Sequence, residues 1–175
     1  IAYFRAIICP LYPKKSNTMP NIPLDAIDRK ILKELQQNAR ISNVELADAV
    51  GLSPSPCLRR VRQLEEAGVI DRYVALVTPQ SLGLTVNVFV QVSLERQVDD
   101  YLERFEAAVK DWPEVMECYL MTGDADYHLR IVMPDLATYE AFLKEKLTRI
   151  EGVSNIRSSF ALKPVNYRTD LPLGN

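Results

Sequence analysis

The sequence predicts an α+β protein in two parts, with three short helices in front and an alternation of strands and helices behind. Three observations carry the prediction. Apolar residues recur every three or four positions from Leu24 to Leu64, the period of a helix packed on one side. They recur every second position from Val86 to Leu94, the period of a half-buried strand. Between the two regimes lies Thr78-Pro79-Gln80-Ser81-Leu82-Gly83, which has turn-forming composition and no period.

The first helix begins after Asp25, a residue suited to cap it, and carries Ile27, Ile31, Leu32 and Leu35 inward. Asn38-Ala39-Arg40 breaks the pattern. Ser42 and Glu45 then stand in the S-x-x-E spacing of a capping box, so a second helix runs to Val50 and Gly51 turns the chain. Ser caps a helix and Pro suits its first position, so the third helix starts at Ser53-Pro54 or at Ser55-Pro56; the sequence leaves both open. Cys57, Val61 and Leu64 make its apolar stripe, and Gly68 ends it. Val69-Ile70 and Tyr73 to Val77 suggest a small two-stranded wing.

Behind the linker come a strand at Val86 to Leu94, a helix with Leu102, Phe105 and Val109 inward, and a strand at Val115 to Thr122. Gly123-Asp124-Ala125-Asp126 reads as a hairpin turn before a strand from Tyr127 to Met133. A helical stripe of Leu136, Tyr139, Leu143, Leu147 and Ile150 follows, then a last strand at Val153 to Leu162. The order β-α-β-β-α-β is the ferredoxin-like arrangement. Each helix ends in a breaker before Val (Trp112-Pro113-Glu114-Val115 and Ile150-Glu151-Gly152-Val153), a weak internal echo of two halves. One sheet face is left for a partner, which points to a dimer. The expected organisation is residues 1–18 as an N-terminal extension, native or otherwise, 19–77 as a helix-turn-helix domain of winged-helix-like type, 78–84 as linker, 85–165 as the ferredoxin-like domain and 166–175 as a tail.

Composition bounds the function. The 175 residues are 47% hydrophobic and 25% charged, ordinary values for a globular chain. The formal net charge of −2 hides an asymmetry: residues 19–78 carry eight basic and eight acidic side chains, whereas 86–162 carry eight and fourteen. Three scattered cysteines without a C-x-x-C pattern exclude a disulfide framework or zinc site as the organising device. Ile1 to Leu11 lacks a signal peptide's basic start and is far too short to span a bilayer. No metal, no cofactor, no membrane and a cytoplasmic, nucleoid-associated location are therefore expected.

The third helix carries Arg59, Arg60 and Arg62 and no acid between Ser53 and Gln63. A short capped helix, a glycine turn and a second helix with arginines opposite its apolar stripe are what a DNA major groove accepts. Arg59 and Arg62 are the candidates for base contacts, since arginine to guanine is the commonest specific pairing. Ser42 and Asn43, at a helix start, suit phosphate. Ser53, Ser55, Pro56, Arg60 and Gln63 complete the expected DNA-binding set.

Leu24-Asp25-Ala26-Ile27-Asp28-Arg29-Lys30-Ile31-Leu32, Arg40-Ile41-Ser42-Asn43-Val44-Glu45-Leu46, Gly51 to Val61, and Thr122-Gly123-Asp124-Ala125-Asp126-Tyr127 followed by Met133-Pro134-Asp135 together resemble the Lrp/AsnC, or feast/famine, family. The likeness runs from about Leu24 to Leu173. It implies a prokaryotic transcription regulator that binds double-stranded DNA in front, dimerises behind, assembles to tetramers or octamers, and takes a small effector, most often an amino acid, near the Gly123 hairpin. Ser158 to Leu162 and Thr169 to Leu173 differ from the ending of the global leucine-responsive member. On this basis Thr122, Gly123, Asp124, Asp126, Tyr127 and Ser158 form the expected effector set, with Asp carboxylates for an ammonium and loop amides for a carboxylate. No nucleophile, histidine or metal-ligand set accompanies the two aspartates, so an enzyme is not expected. The competing function is an architectural DNA organiser of the same fold that needs no effector.

Overall fold

The computed structural model describes residues 23–174. Expectations for residues 1–18, and for the first positions of the front domain, lie outside the described residues. The described residues divide into two compact units: 77–164 form one, and 23–76 together with 165–174 form the other.

The front unit holds α1 (Ala26–Gln37), α2 (Asn43–Val50) and α3 (Pro54–Glu66). Local chemistry fixes each start. The Asp25 carboxylate accepts the amides of Ile27 and Asp28 at 2.9 and 2.8 Å, while the Asp28 carboxylate accepts the Asp25 amide at 3.2 Å. Ser42 and Glu45 close the capping box foreseen for α2, with bonds of 3.2 and 2.9 Å. Gly51 turns the chain at φ +75°, a conformation that costs glycine little. Of the two Ser-Pro pairs, Ser53-Pro54 begins α3, with Pro54 in the first turn and no side-chain bond from Ser53. Ile31, Leu32, Leu46, Ala47, Val50, Cys57 and Leu64 form the core.

One feature of this unit departs from expectation. Among the described residues no strand forms between 69 and 85, so the stretch expected as a two-stranded wing carries no ladder, for which a strand needs a paired partner. Tyr73, Val74, Leu76 and Val77 are accordingly exposed. The tail from Val165 returns to α1, where Leu173 packs against the helical core.

The second unit follows the predicted order: β1 (Val86–Leu94), α4 (Asp99–Lys110), β2 (Val115–Leu120), β3 (Tyr127–Met133), α5 (Leu136–Glu145) and β4 (Val153–Phe160). Its sheet runs β2-β3-β1-β4, with every neighbouring pair antiparallel. Pro79–Leu82 form a short 3-10 turn before it. The stripe expected as one long helix divides into α5 and a 3-10 turn at Leu147–Arg149. Val88, Val90 and Val92 from β1 pack with Tyr127, Leu129 and Ile131 from β3 and with Phe105, Val109, Tyr139 and Phe142 from the two helices. The helices therefore share one sheet face. On the other face Phe89 and Tyr119 remain partly exposed, and Phe89 meets His128 edge-on at 5.9 Å.

Candidate DNA interface and sensing loop

α2 and α3 are joined by the Gly51 turn, and the Asn43 side-chain amide donates to the Pro54 carbonyl at 2.8 Å, tying the start of one helix to the start of the other. Asn43 is thus committed to holding the pair together. Cys57 and Leu64 face the core, and burial pushes the Cys57 thiol above its ordinary value. Opposite them Arg59, Arg62 and Gln63 are exposed, as are Ser53 and Ser55, while Pro56 is half-buried. Ser55, Leu58, Arg59, Arg62, Gln63 and Glu66 line an open concavity of about 360 Å³. Leu58 and Glu66 were not foreseen; Leu58 is apolar and so resembles a core residue in sequence, yet it stands outward.

Arg60, unlike its neighbours, has partners within the helical unit. Its guanidinium bonds Asp25 at 2.7 Å and Asp28 at 2.8 Å, so it ties α3 to the capped start of α1. The Asp28 amide and then Arg60 hold the Asp25 carboxyl below its ordinary value. Two carboxylates at the start of α1 thus hold the Arg60 guanidinium. Arg59 and Arg62 have no ion pair among the described residues, so their donors face outward.

The loop between β2 and β3 is shaped by Asp126. Its amide donates to the Val92 carbonyl at 2.9 Å and its carbonyl accepts the Met121 amide at 2.8 Å. Its carboxylate accepts the Leu94 amide at 2.7 Å and the Gln97 side-chain amide at 2.5 Å. The residue is 7% exposed. Asp126 therefore clasps the loop to the end of β1. Tyr127 is likewise buried, with its hydroxyl donating to Glu106 at 3.0 Å, and burial and that partner raise its pKa. Its place is in the core. Ser158 pairs across from Val90 and bonds the Tyr139 hydroxyl at 2.5 Å, four strand positions from the Leu94 level at which Asp126 sits. The structure does not bring Ser158 to the loop.

Thr122, Gly123 and Asp124 are exposed, Gly123 at φ +143° with open space where a Cβ would stand. The amides from Thr122 to Ala125 have no partner among the described residues. Beside the loop lie Ser93, whose hydroxyl reaches the Asp124 carbonyl at 3.4 Å, and Ser154, which donates to the Ser93 carbonyl at 3.0 Å. Ser93, Gln97 and Ser154 were missed because they are single polar residues in strand or loop sequence, with no motif of their own. Among the described residues no helix is long and apolar enough to cross a membrane.

An outward arginine face on a turned helix pair, ahead of a sheet with an open amide-rich loop, defines a two-part regulator that reads DNA with one half and a ligand with the other. Residues 24–71 match the family model described as winged helix-turn-helix DNA-binding, and residues 87–171 match the Lrp/AsnC ligand binding domain. The chain is 53% identical over 150 residues to the Bkd operon transcriptional regulator of Pseudomonas aeruginosa, covering 86% of this chain and 98% of that one. It is 47% identical over 156 residues to the leucine-responsive regulatory protein of Salmonella typhimurium, with 89% and 95% covered. A transcriptional regulator of Neisseria meningitidis, solved as a complex with L-Met, superimposes with a TM-score of 0.83 at 45% identity, over 86% of this chain and 97% of that one. AsnC of E. coli gives a TM-score of 0.80 at 28% identity, with 86% and 100% covered. The chain belongs to the Lrp/AsnC family of transcriptional regulators.

Proposed function

We propose that this regulator reads its operator with Arg59 and Arg62 and changes that binding when an amino acid occupies the loop from Thr122 to Asp124. The carrying observation is the division among three neighbouring arginines: Arg60 is engaged by Asp25 and Asp28, while Arg59 and Arg62 stay unpaired on the exposed face. The free loop amides suit a carboxylate and the exposed Asp124 suits an ammonium, a combination that favours a zwitterion. The Neisseria relative bound to L-Met supports an amino acid as the ligand class. The open sheet face with Phe89 and Tyr119 supports a homodimer, assembling to tetramers or octamers. The reading makes the chain a binding protein with no enzymatic step, working in the cytoplasm on the nucleoid.

A duplex selected from a random pool by the unaltered protein supplies the operator for the test. Arg59→Ala and Arg62→Ala should each weaken binding and relax base preference, since a bidentate arginine–guanine pair carries about 1–3 kcal/mol of discrimination. Unchanged affinity and preference in both would remove α3 as the reading element. Titrating each of the twenty amino acids into the complex tests the sensing half, because an effector must bind one state better than another to shift it. If none alters the affinity, the protein is an effector-independent DNA organiser.

A further inference from the structure

α1 carries a contact that neither DNA nor ligand reading needs. The Gln36 side chain grips Leu171 in both directions, its amide donating to the Leu171 carbonyl at 3.2 Å and its carbonyl accepting the Leu171 amide at 2.6 Å. Seven residues earlier, on the same helix face, the Arg29 guanidinium donates to the Leu173 carbonyl. Leu173 itself packs against the core of the helical unit. Leu171-Pro172-Leu173 thus lies antiparallel to α1, pinned at two points and anchored by one apolar side chain. Pro172 suits its place between the two pins, because its ring fixes φ, brings no amide that would want a partner, and holds Leu171 extended. Little chain entropy is then lost on docking.

The opposite end of the contact chain reaches the reading helix. α1 begins at Asp25 and Asp28, the two carboxylates that hold Arg60 of α3. Arg60 is the immediate neighbour of Arg59. We propose that residues 171–173 are a strap that positions the recognition helix through α1: the strap holds Arg29 and Gln36, α1 holds Arg60, and Arg60 fixes the pitch at which Arg59 and Arg62 are presented. The strap is continuous in sequence with β4 of the other unit through residues 161–170, so the front unit is tethered to the sensing sheet at both of its ends rather than by the linker alone. Leu171 and Leu173 are positioning residues that touch no DNA.

The full-length chain with Gln36→Ala and Leu173→Ala together tests this by hydrogen exchange followed by mass spectrometry, with the duplex selected by the unaltered protein as the DNA probe. Amides of α1 and α3 should exchange on the order of tenfold faster, the factor that corresponds to about 1.4 kcal/mol, while those of β1 and β3 keep their rates. Affinity for the duplex should fall alongside. Leu173→Met with Gln36 intact keeps the buried volume and should restore both. Unchanged exchange in α1 and α3 overturns the strap. Equal acceleration in helices and sheet also overturns it, since the tail would then support the whole fold and position nothing in particular. Because exchange is read without DNA, a failure of the base-contact assignment leaves this result standing on its own.

Discussion

Replacing Asp126 with alanine distinguishes an acid that builds the sensing loop from one that touches the ligand. Asp126 is 7% exposed and its carboxylate accepts two donors, the Leu94 amide at 2.7 Å and the Gln97 side-chain amide at 2.5 Å. Gln97 is exposed and regains water when its acceptor goes, so its bond contributes little to the loss. Leu94 is buried, and its orphaned amide costs about 1–3 kcal/mol, at the upper end because the lost acceptor is charged. A loss of about 2–3 kcal/mol follows, which for a domain of this size lowers Tm by roughly 8–24 °C. Circular dichroism during heating measures it. Asp126→Asn retains a carbonyl oxygen for the Leu94 amide and should lose about half as much. Amino-acid binding should fail in Asp126→Ala because the loop loses its shape, whereas Asp124→Asn should weaken binding with Tm unmoved. A Tm for Asp126→Ala within about 2 °C of the parent, a shift worth only a fraction of 1 kcal/mol, would refute the clasp.

Arg60→Ala should lower the thermal stability of the helical unit and, by freeing the pitch of α3, weaken binding to the selected duplex; weakened binding with an unchanged Tm would instead make Arg60 a direct DNA contact. Acid should weaken the fold through its helix caps. The Asp28 amide and Arg60 lower Asp25, the Ser42 hydroxyl and amide lower Glu45, and the Thr138 amide lowers Asp135 from ordinary values of 3.8, 4.5 and 3.8. Groups whose folded pKa is depressed contribute fully above the unfolded value and lose that contribution as pH falls through the folded one. Urea midpoints should therefore be flat above about pH 5 and drop below about pH 4, with Asp25→Asn showing a shallower drop. Gly152→Ala places a Cβ 2.8 Å from the Tyr101 ring at a φ of +91°, and should cost about 1–3 kcal/mol in urea unfolding; an unchanged midpoint would mean the ring moves freely aside.

The parts of this molecule that are legible in its sequence are those fixed by near neighbours. Asp25 and the Ser42/Glu45 box cap helices within three residues of themselves, and the alternation from Val86 to Leu94 follows from burying one face of a strand. Arg60 misleads because its partners lie 32 and 35 residues away, and nothing local distinguishes it from Arg59. Asp126 misleads for the same reason, since a turn-forming aspartate and a buried clasp look alike until β1 is placed beside them. The wing is overestimated because Tyr73 to Val77 has strand composition, and composition does not supply the second strand.

The strap has a consequence in time. Gln36 and Leu171 are separated by 135 residues, so at a synthesis rate of about 5–20 residues per second α1 waits roughly 7–27 s for its last contact. From the completion of α3 until then, the three helices pack with one anchoring leucine missing. Nascent chains should thus pass through a period of looser helix packing, and one that stalls before Leu171 would present the reading arginines on an unbraced support. Because β4 precedes Leu171 in the chain, bracing of α1 by the strap comes only after the whole sheet has been made.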